Sequence, residues 1–280
     1  MVTLNNVSYT YNRHSDALHN ITCSIGSGIS LLAGENGAGK TTLLHIIGGL
    51  LYPTQGTCDI NGNPISKRLP TDLCRVQYFS GNISFPAPTI APMVRMHAPF
   101  FPNFNREMLE RNLAAFGIAI NERLSGMSLG TSVKARLAYM LSLGCEVLLL
   151  DEPTLGLDIT SRQRFNRMLV ESLSPEQTVV ISTHSVAESE ALYDSVMILS
   201  KGEMIVSEPV AAITDRLAFV SSPQQPDGVL YCEQFIGGFR SIMAADRCEA
   251  ESQPDLTLLY NALMSSSRPQ IVKHLTAKQS

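Results

Sequence analysis

The sequence predicts an α/β fold in which helices cover both faces of a parallel or mixed β-sheet. Apolar strand patterns over 147–150, 179–183 and 196–199 alternate with helical spacing over 165–173. Strands that alternate with helices pair in parallel, because each helix carries the chain back to the start of the next strand. An earlier apolar run, 29–33, ends at a glycine-rich turn that leads into an apolar helix predicted over 43–50.

The composition is typical of a globular chain without a membrane span. The 280 residues are 44% hydrophobic and 16% charged, with a formal net charge of -4. An acidic balance argues against a nucleic-acid partner, because phosphate binding needs a basic face. No apolar run reaches the roughly 18 residues of a membrane helix, and the N-terminus lacks the basic and apolar parts of a secretion signal. The cysteines form no CxxC pair, which favours reduced thiols over a metal site.

The first part of the chain shows strand patterns. Two segments alternate in hydrophobicity, 2–4 and 7–11, with a predicted break between them at Asn5-Asn6. Further strands are predicted over 56–62, between turn residues, and over 76–79.

The middle and the end of the chain are different. Five prolines between residues 82 and 105 exclude a long helix there, after which Asn105 is the expected N-cap of one helix and Ser128 begins another. A short helix is predicted over 186–192. From about residue 211 the periodicity weakens, and the polar run 221–226 is interpreted as a loop or linker.

The glycine-rich turn fits the pattern G-x-x-x-x-G-K-[ST] in the context that this motif requires, between a strand and a helix. Its glycines let backbone N–H groups surround a phosphate, and the helix N-terminus adds its positive dipole. The lysine reaches the β- and γ-phosphates and the first threonine ligates Mg²⁺. By itself the motif allows a kinase, a GTPase or a helicase. Its residues are Gly34, Glu35, Asn36, Gly37, Ala38, Gly39, Lys40, Thr41 and Thr42.

Two acids end the apolar strand over 147–150. A buried strand delivers the residues at its carboxyl end to the ligand crevice of an α/β sheet. We therefore expect Asp151 to hold Mg²⁺ through water and Glu152 to polarise the attacking water.

Further motifs at fixed distances make the assignment specific. Met127-Ser128-Leu129-Gly130-Thr131 precedes the Asp-Glu pair, and Ser182-Thr183-His184 follows the next strand. This series resembles the ATP-binding cassette (ABC) family, whose signature is LSGGQ, over about residues 1–210. The resemblance implies a P-loop NTPase cassette with an N-terminal antiparallel β subdomain, a helical subdomain over about 82–145 and a small C-terminal extension, of α+β type, over 211–280.

The resemblance also implies that two subunits share each ATP head to tail. Ser128 and Gly130 would complete the γ-phosphate site of the partner subunit, and Asp158 would cross the interface. His184 would contact the γ-phosphate and help to hold the water. Tyr11 would stack on adenine, although Tyr9, one strand period earlier, competes for that role.

The sequence departs from the family at two positions. The family has a Gln, which ligates Mg²⁺, where this chain has Gly81 followed by Asn82. Gln77 is offset by about four residues, so either Asn82 substitutes for the missing ligand or the contact is absent or mediated by water. Lys134 stands where the signature helix commonly has Arg, which would weaken an internal contact.

Among cassette proteins, the segments before the signature and after residue 211 look like those of exporter-type ATPases that are encoded separately from their permeases. The function expected from this resemblance is an ATPase subunit, dimeric and most simply homodimeric, that drives a separate integral membrane permease for export. The Pro-rich stretch 82–104 would contact the permease. The expected location is cytoplasmic, peripheral at the inner face of the cell membrane. Two alternatives stay open: a soluble cassette protein that acts on ribosomes or DNA, and a regulatory ATP switch.

Overall fold

The computed structural model describes residues 1–11, 16–81, 89–123, 126–186, 190–248 and 252–276. The strands are β1 Val2–Thr10, β2 Asp16–Ile25, β3 Gly28–Ala33, β4 Gln55–Ile60, β5 Asn63–Pro64, β6 Val76–Ser80, β7 Val147–Asp151, β8 Thr178–Thr183, β9 Ser195–Ser200, β10 Glu203–Pro209, β11 Leu217–Ser222, β12 Tyr231–Phe235 and β13 Gly238–Ala244. The helices are α1 Lys40–Ile47, α2 Pro70–Leu73, α3 Ile90–His97, α4 Arg106–Ala115, α5 Leu129–Leu141, α6 Ile159–Ser172, α7 Val210–Thr214, α8 Leu256–Met264 and α9 Arg268–Thr276. None of the helices in these ranges is long and apolar enough to span a membrane.

A mixed sheet of six strands forms the centre of the molecule, in the order β10-β9-β3-β8-β7-β6. All neighbouring pairs from β9 to β6 are parallel, and β10 pairs with β9 in the antiparallel sense. The predicted α/β fold with a parallel or mixed sheet is therefore confirmed. Because parallel strands end at the same edge, the residues that follow β3, β6, β7 and β8 meet there.

The N-terminal strands form an antiparallel sheet in the order β2-β1-β4-β5. Its inner face packs with α1 in a core that includes Val2, Leu4, Ile21 and Leu44, all of them fully buried. The predicted break at Asn5-Asn6 does not end the strand, because β1 is continuous, but it coincides with an irregularity in strand pairing. The pattern there reflects a register shift against β2 between Leu4 and Val7, where Asn6 adopts a φ of 50°.

The helical region contains α3, α4 and α5. Asn105 caps α4, as predicted, by accepting a hydrogen bond from the Met108 N–H at 2.9 Å, and Ser128 caps α5. The described residues of the short helix predicted over 186–192, which are residue 186 and residues 190–192, are in 3₁₀ conformation. Residues 187–189, like residues 82–88 of the Pro-rich stretch, lie outside the described ranges.

The chain beyond residue 210 forms an antiparallel sheet, β11-β13-β12, followed by α8 and α9. The predicted linker over 221–226 is partly wrong, because Ser221 and Ser222 belong to β11. Helix α8 buries Leu259 and Leu263 in the same core as Ile29 and Val196 of the central sheet. The extension therefore shares a continuous apolar core with the main sheet, and its boundary at residue 210 remains a prediction.

Candidate functional site

The glycine-rich loop joins β3 to α1 at the carboxyl edge of the central sheet. The Lys40 ammonium is buried and donates to the carbonyl oxygens of Gly34 at 2.7 Å and Glu35 at 3.1 Å. Burial lowers the pKa of Lys40, against the attraction of Glu152 and Asp151. Gly39 has a φ of 105°, and a Cβ built there would lie 2.6 Å from the carbonyl oxygen of Ala17. The loop thus requires glycine at this position.

A cleft of about 470 Å³ opens above this loop. It brings most of the predicted loop residues together with both acids that follow the buried strand. The described residues that line it are Tyr11, Asp16, Ala17, Asn36, Gly37, Gly39, Lys40, Thr41, Thr42, Ser80, Gly81, Asp151, Glu152 and Leu155.

The Asp151 carboxylate, at the end of β7, accepts hydrogen bonds from hydroxyl groups of three elements. Thr41 of α1 donates to Oδ2 at 2.7 Å, Tyr78 of β6 donates to Oδ2 at 2.9 Å, and Ser182 of β8 donates to Oδ1. Burial and the neighbouring Asp151 charge raise the pKa of Tyr78 well above its ordinary range, so its hydroxyl stays a donor.

The same group of oxygens fits a Mg²⁺ ion. Thr41 and Asp151 place a hydroxyl and a carboxylate side by side, and Mg²⁺ prefers oxygen ligands and usually takes only one or two from protein, with the rest from phosphates and water. Accordingly, no group of three or more His, Cys, Asp or Glu side chains forms a metal cage in the described part of the chain.

Glu152 and His184 meet at the mouth of the cleft. His184 Nδ1 lies 2.8 Å from Glu152 Oε1. Glu152 adopts a left-handed φ of 48°, and its N–H donates to the Ser182 carbonyl oxygen at 3.1 Å. This turn, which a non-glycine residue adopts only at a cost, ends β7 and directs the Glu152 side chain toward His184.

Tyr11 lies at the end of β1, beside the loop. Its hydroxyl is 2.9 Å from the Thr42 hydroxyl, its ring stands edge-on to Tyr9 at 4.9 Å, and half of its surface is exposed. Of the two tyrosines that competed in sequence, Tyr11 lines the cleft, whereas Tyr9 packs against the N-terminal core. This placement favours Tyr11 as the base-stacking residue, a role that remains a prediction.

The signature residues lie away from this cleft. None of Ser128, Gly130 and Asp158 lines it. Ser128 is exposed at the start of α5, where its hydroxyl accepts from the Thr131 N–H at 3.1 Å, and a Cβ on Gly130 would lie 3.6 Å from the Gly156 carbonyl oxygen. The N-terminus of α5 therefore packs beside the loop that follows Glu152.

Asp158 is satisfied within its own chain. It caps α6 by accepting from the Ser161 N–H at 2.8 Å, and Lys134 of α5 lies 3.2 Å from Oδ2. The Ser161 hydroxyl, which donates to Oδ2 at 2.7 Å, the Ser161 N–H and Lys134 together hold the pKa of Asp158 below its ordinary range. The substitution of Arg by Lys134 thus leaves an ion pair between α5 and α6, and the role of Asp158 at an interface remains a prediction.

Three positions bear on the missing Gln. Gly81 lines the cleft without a side chain, and Asn82 lies outside the described residues. Gln77 lies inside β6, where its amide donates to the backbone carbonyl of Val76 at 2.9 Å.

Comparison with known proteins gives consistent matches. The family profile described as "ABC transporter" matches residues 18–155. The chain is 32% identical over 192 residues to the ABC transporter ATP-binding protein NatA of Bacillus subtilis, with 66% of this chain and 78% of that protein covered. It is 31% identical over 241 residues to the energy-coupling factor transporter ATP-binding protein EcfA2 of Streptococcus sanguinis, with 80% and 86% covered.

Among solved structures, the fold is similar to a dimeric ATP-binding cassette in a post-hydrolysis state with bound ADP and Pi. The TM-score is 0.66 at 23% identity, over 75% of this chain and 99% of that one.

Proposed function

The chain belongs to the ABC transporter family, as one of its ATP-binding cassette ATPases, and from this premise we propose that it hydrolyses Mg-ATP in a head-to-tail dimer. One observation carries the proposal. The cleft gathers Lys40, Asp151 and Glu152, while the exposed cap residue Ser128 lies outside it on the same molecule. On this proposal the chain carries two halves of a site, which a second subunit would bring together.

The surface around Ser128 supports an interface. Leu129, Leu155 and Ile159 are large apolar residues that are 72%, 62% and 74% exposed. Leu129 and Leu155 adjoin Gly130 and Gly156, whose backbones approach each other, and exposed apolar side chains that cluster are typical of contact sites. They flank the signature, the loop after Glu152 and the start of α6, which are the segments that a head-to-tail partner would cover.

In the proposed reaction, the loop N–H groups and Lys40 bind the phosphates, and Tyr11 binds the base. A bound Mg²⁺, held by Thr41 and, through water, by Asp151, would neutralise charge on the β- and γ-phosphates. The oxygen of the attacking water bonds to the γ-phosphorus, and the bond from that phosphorus to the β-phosphate oxygen breaks. Glu152 accepts the proton that the water loses. His184, 2.8 Å from Glu152, orients that carboxylate. This contact favours hydrolysis over a switch that only binds ATP.

Further proposals concern the cellular role. We infer that the ATPase drives a separate integral membrane permease from the inner face of the cell membrane. The described part of the predicted permease contact, 89–104, exposes Met96 and Phe100, which are 53% and 69% accessible. The relatives give no support to export, so we propose no direction of transport. Residues 1–210 are proposed as the cassette and 211–280 as its extension.

Complementation tests the shared site. Lys40→Ala disables the loop and Ser128→Arg fills the partner's site, so each protein alone should be inactive. A mixed dimer contains one intact site, and an equal mixture should recover about a quarter of wild-type ATPase activity, because half of the dimers are mixed.

The matched control mixes Ser128→Arg with the double variant that carries both changes. That mixture assembles no intact site and should stay inactive. Phosphate release is measured while differently labelled subunits report mixed dimers. An inactive first mixture in which mixed dimers form would refute the shared site.

A further inference from the structure

Arg136 is a buried cation in the middle of α5. Its side chain is 6% exposed, and its Nη2 donates to the carbonyl oxygens of Ser80 at 3.0 Å and Gly81 at 2.9 Å. The guanidinium lies over the Phe79 ring, 4.9 Å from its centre. No Asp or Glu pairs with it among the residues that the structure describes, and its Nε has no hydrogen-bond partner there.

Packing alone does not account for a guanidinium at this place. Buried cations normally pair with carboxylates, because desolvation of an unpaired charge is costly. Burial accordingly lowers the pKa of Arg136. A methionine would fill a similar volume without that cost. The charge is explained by what it binds, because one guanidinium nitrogen, Nη2, carries two N–H groups and donates to both backbone carbonyls.

Those carbonyls belong to the wall of the nucleotide cleft. Ser80 and Gly81 line it together with Lys40 and Asp151. Gly81 has no side chain, so Arg136 of α5 contacts this part of the wall through its backbone carbonyl oxygens. A Cβ built at Gly81 meets no atom within 4 Å, so the wall has open space on its cleft side. The Arg136 guanidinium holds the wall from the α5 side.

Helix α5 has a second functional end. Ser128 caps its N-terminus, roughly 12 Å from Arg136 at the rise of an α-helix. In the head-to-tail dimer, Ser128 faces the nucleotide of the partner subunit, whereas Arg136 holds the cleft wall of its own subunit. A single rigid element thus lies between the two sites.

We propose that Arg136 is a positioning residue that ties the Ser80–Gly81 wall of its own cleft to α5, and so sets the position in which Ser128 is presented to the partner subunit. The inference rests on the proposed dimer. Nucleotide binding by the isolated subunit depends on the loop and Lys40, and is independent of Arg136. Closure of the dimer around ATP depends on Arg136.

The test uses Arg136→Met and Arg136→Lys in a Glu152→Gln background, which keeps ATP unhydrolysed. Arg111→Met is the matched control, because Arg111 is an exposed arginine on the neighbouring helix α4. Binding of a fluorescent ATP analogue is measured in dilute monomer, ATP-driven dimerisation by sedimentation velocity, and folding by thermal unfolding.

We expect Arg136→Met to bind nucleotide within about threefold of its parent and to unfold within about 3 °C of it, while the ATP-driven dimer weakens by about tenfold or more. Arg136→Lys keeps the positive charge but replaces the planar guanidinium with an ammonium group. Its ATP-driven dimerisation should therefore lie between those of the parent and Arg136→Met. Arg111→Met should match the parent.

Three results would overturn the proposal: undiminished dimerisation in Arg136→Met, a loss of monomer nucleotide binding as large as the loss of dimer, or a fall in unfolding temperature that Arg136→Lys shares in full. If the Glu152→Gln parent itself fails to dimerise with ATP, the proposed dimer is wrong, and the positioning role falls with it.

Discussion

Tyr78→Phe removes one hydroxyl from the candidate metal site and leaves the ring in place. The hydroxyl donates to Asp151 Oδ2 at 2.9 Å, alongside Thr41 at 2.7 Å. A hydrogen bond to a charged group contributes about 1.5–3 kcal/mol. Asp151 keeps the hydrogen bond from Ser182 on Oδ1, so the free energy lost should lie near the lower end of this range. A bound Mg²⁺, however, would engage the Thr41 hydroxyl as a ligand and would leave the Tyr78 hydroxyl as the donor to Oδ2.

The expected result is therefore specific to the metal. The gain in ATP affinity on adding Mg²⁺ should fall by about tenfold, which corresponds to about 1.4 kcal/mol, while ATP affinity in EDTA stays unchanged. Both are measured by titrating a fluorescent ATP analogue. Tyr52→Phe is the control, because Tyr52 is an exposed tyrosine that does not line the cleft. An equal loss with and without Mg²⁺, or no loss at all, would refute the role of the Tyr78 hydroxyl.

Two further predictions concern the catalytic role of Glu152 and the loss of folding stability at acidic pH. Glu152→Gln should lower kcat by about 10²–10⁴-fold and retain ATP binding, as measured by phosphate release and nucleotide titration, with the exposed Glu176→Gln as control; normal turnover would contradict the assignment. Burial lowers the pKa of His45 from 6.5, although the Asp151 charge opposes the shift. The unfolded chain then binds more protons, so stability should be full above that value and fall as pH drops below it. His45→Gln should reduce the difference between urea midpoints at about pH 7.5 and about pH 5.5; an unchanged difference would exclude His45 as its source.

The contiguous parts of the candidate site could be predicted from the sequence. The loop 34–42 and the Asp151-Glu152 pair each lie within one short segment, at the end of a strand that its apolar run reveals. The strand–loop–helix order fixes where such residues lie relative to the sheet, whatever the rest of the fold does. The cleft accordingly contains both acids and most of the predicted loop.

Contacts between distant segments could not be predicted in this way. Tyr78 reaches Asp151 because β6 pairs in parallel with β7, with Ser80 opposite Asp151. That register depends on which strand occupies the edge of the sheet, and hydrophobic periodicity does not contain this information. Arg136 was missed for the same reason. Its helical spacing places it among apolar α5 residues, and only the packing of α5 on β6 shows what its guanidinium binds.

The extension illustrates a different limit. Helix α8 begins after Asp255, whose side chain accepts from the Leu258 N–H, and it is mostly apolar. The strands of the β11-β13-β12 sheet are short and mostly half-buried, so polar and apolar residues alternate only weakly along them. The sequence alone therefore indicates a linker at the polar Ser221 and Ser222. Pairing with β13 makes them strand residues, which is a tertiary effect that outweighs local preference.

In the proposed dimer, the contacts of α5 would connect the cleft of one subunit with the site that this subunit completes in its partner. Lys134 joins the helix to Asp158 at the start of α6, and Arg136 joins it to the wall formed by Ser80 and Gly81. The Lys134 pair is solvent-exposed on its acidic side, so it contributes little to stability and can break when a partner arrives. The Arg136 guanidinium is buried and donates to both carbonyls of the wall. In the proposed dimer, a partner that recruits Asp158 would break the Lys134 ion pair between α5 and α6, while the Arg136 contact would keep Ser128 tied to the cleft of its own subunit.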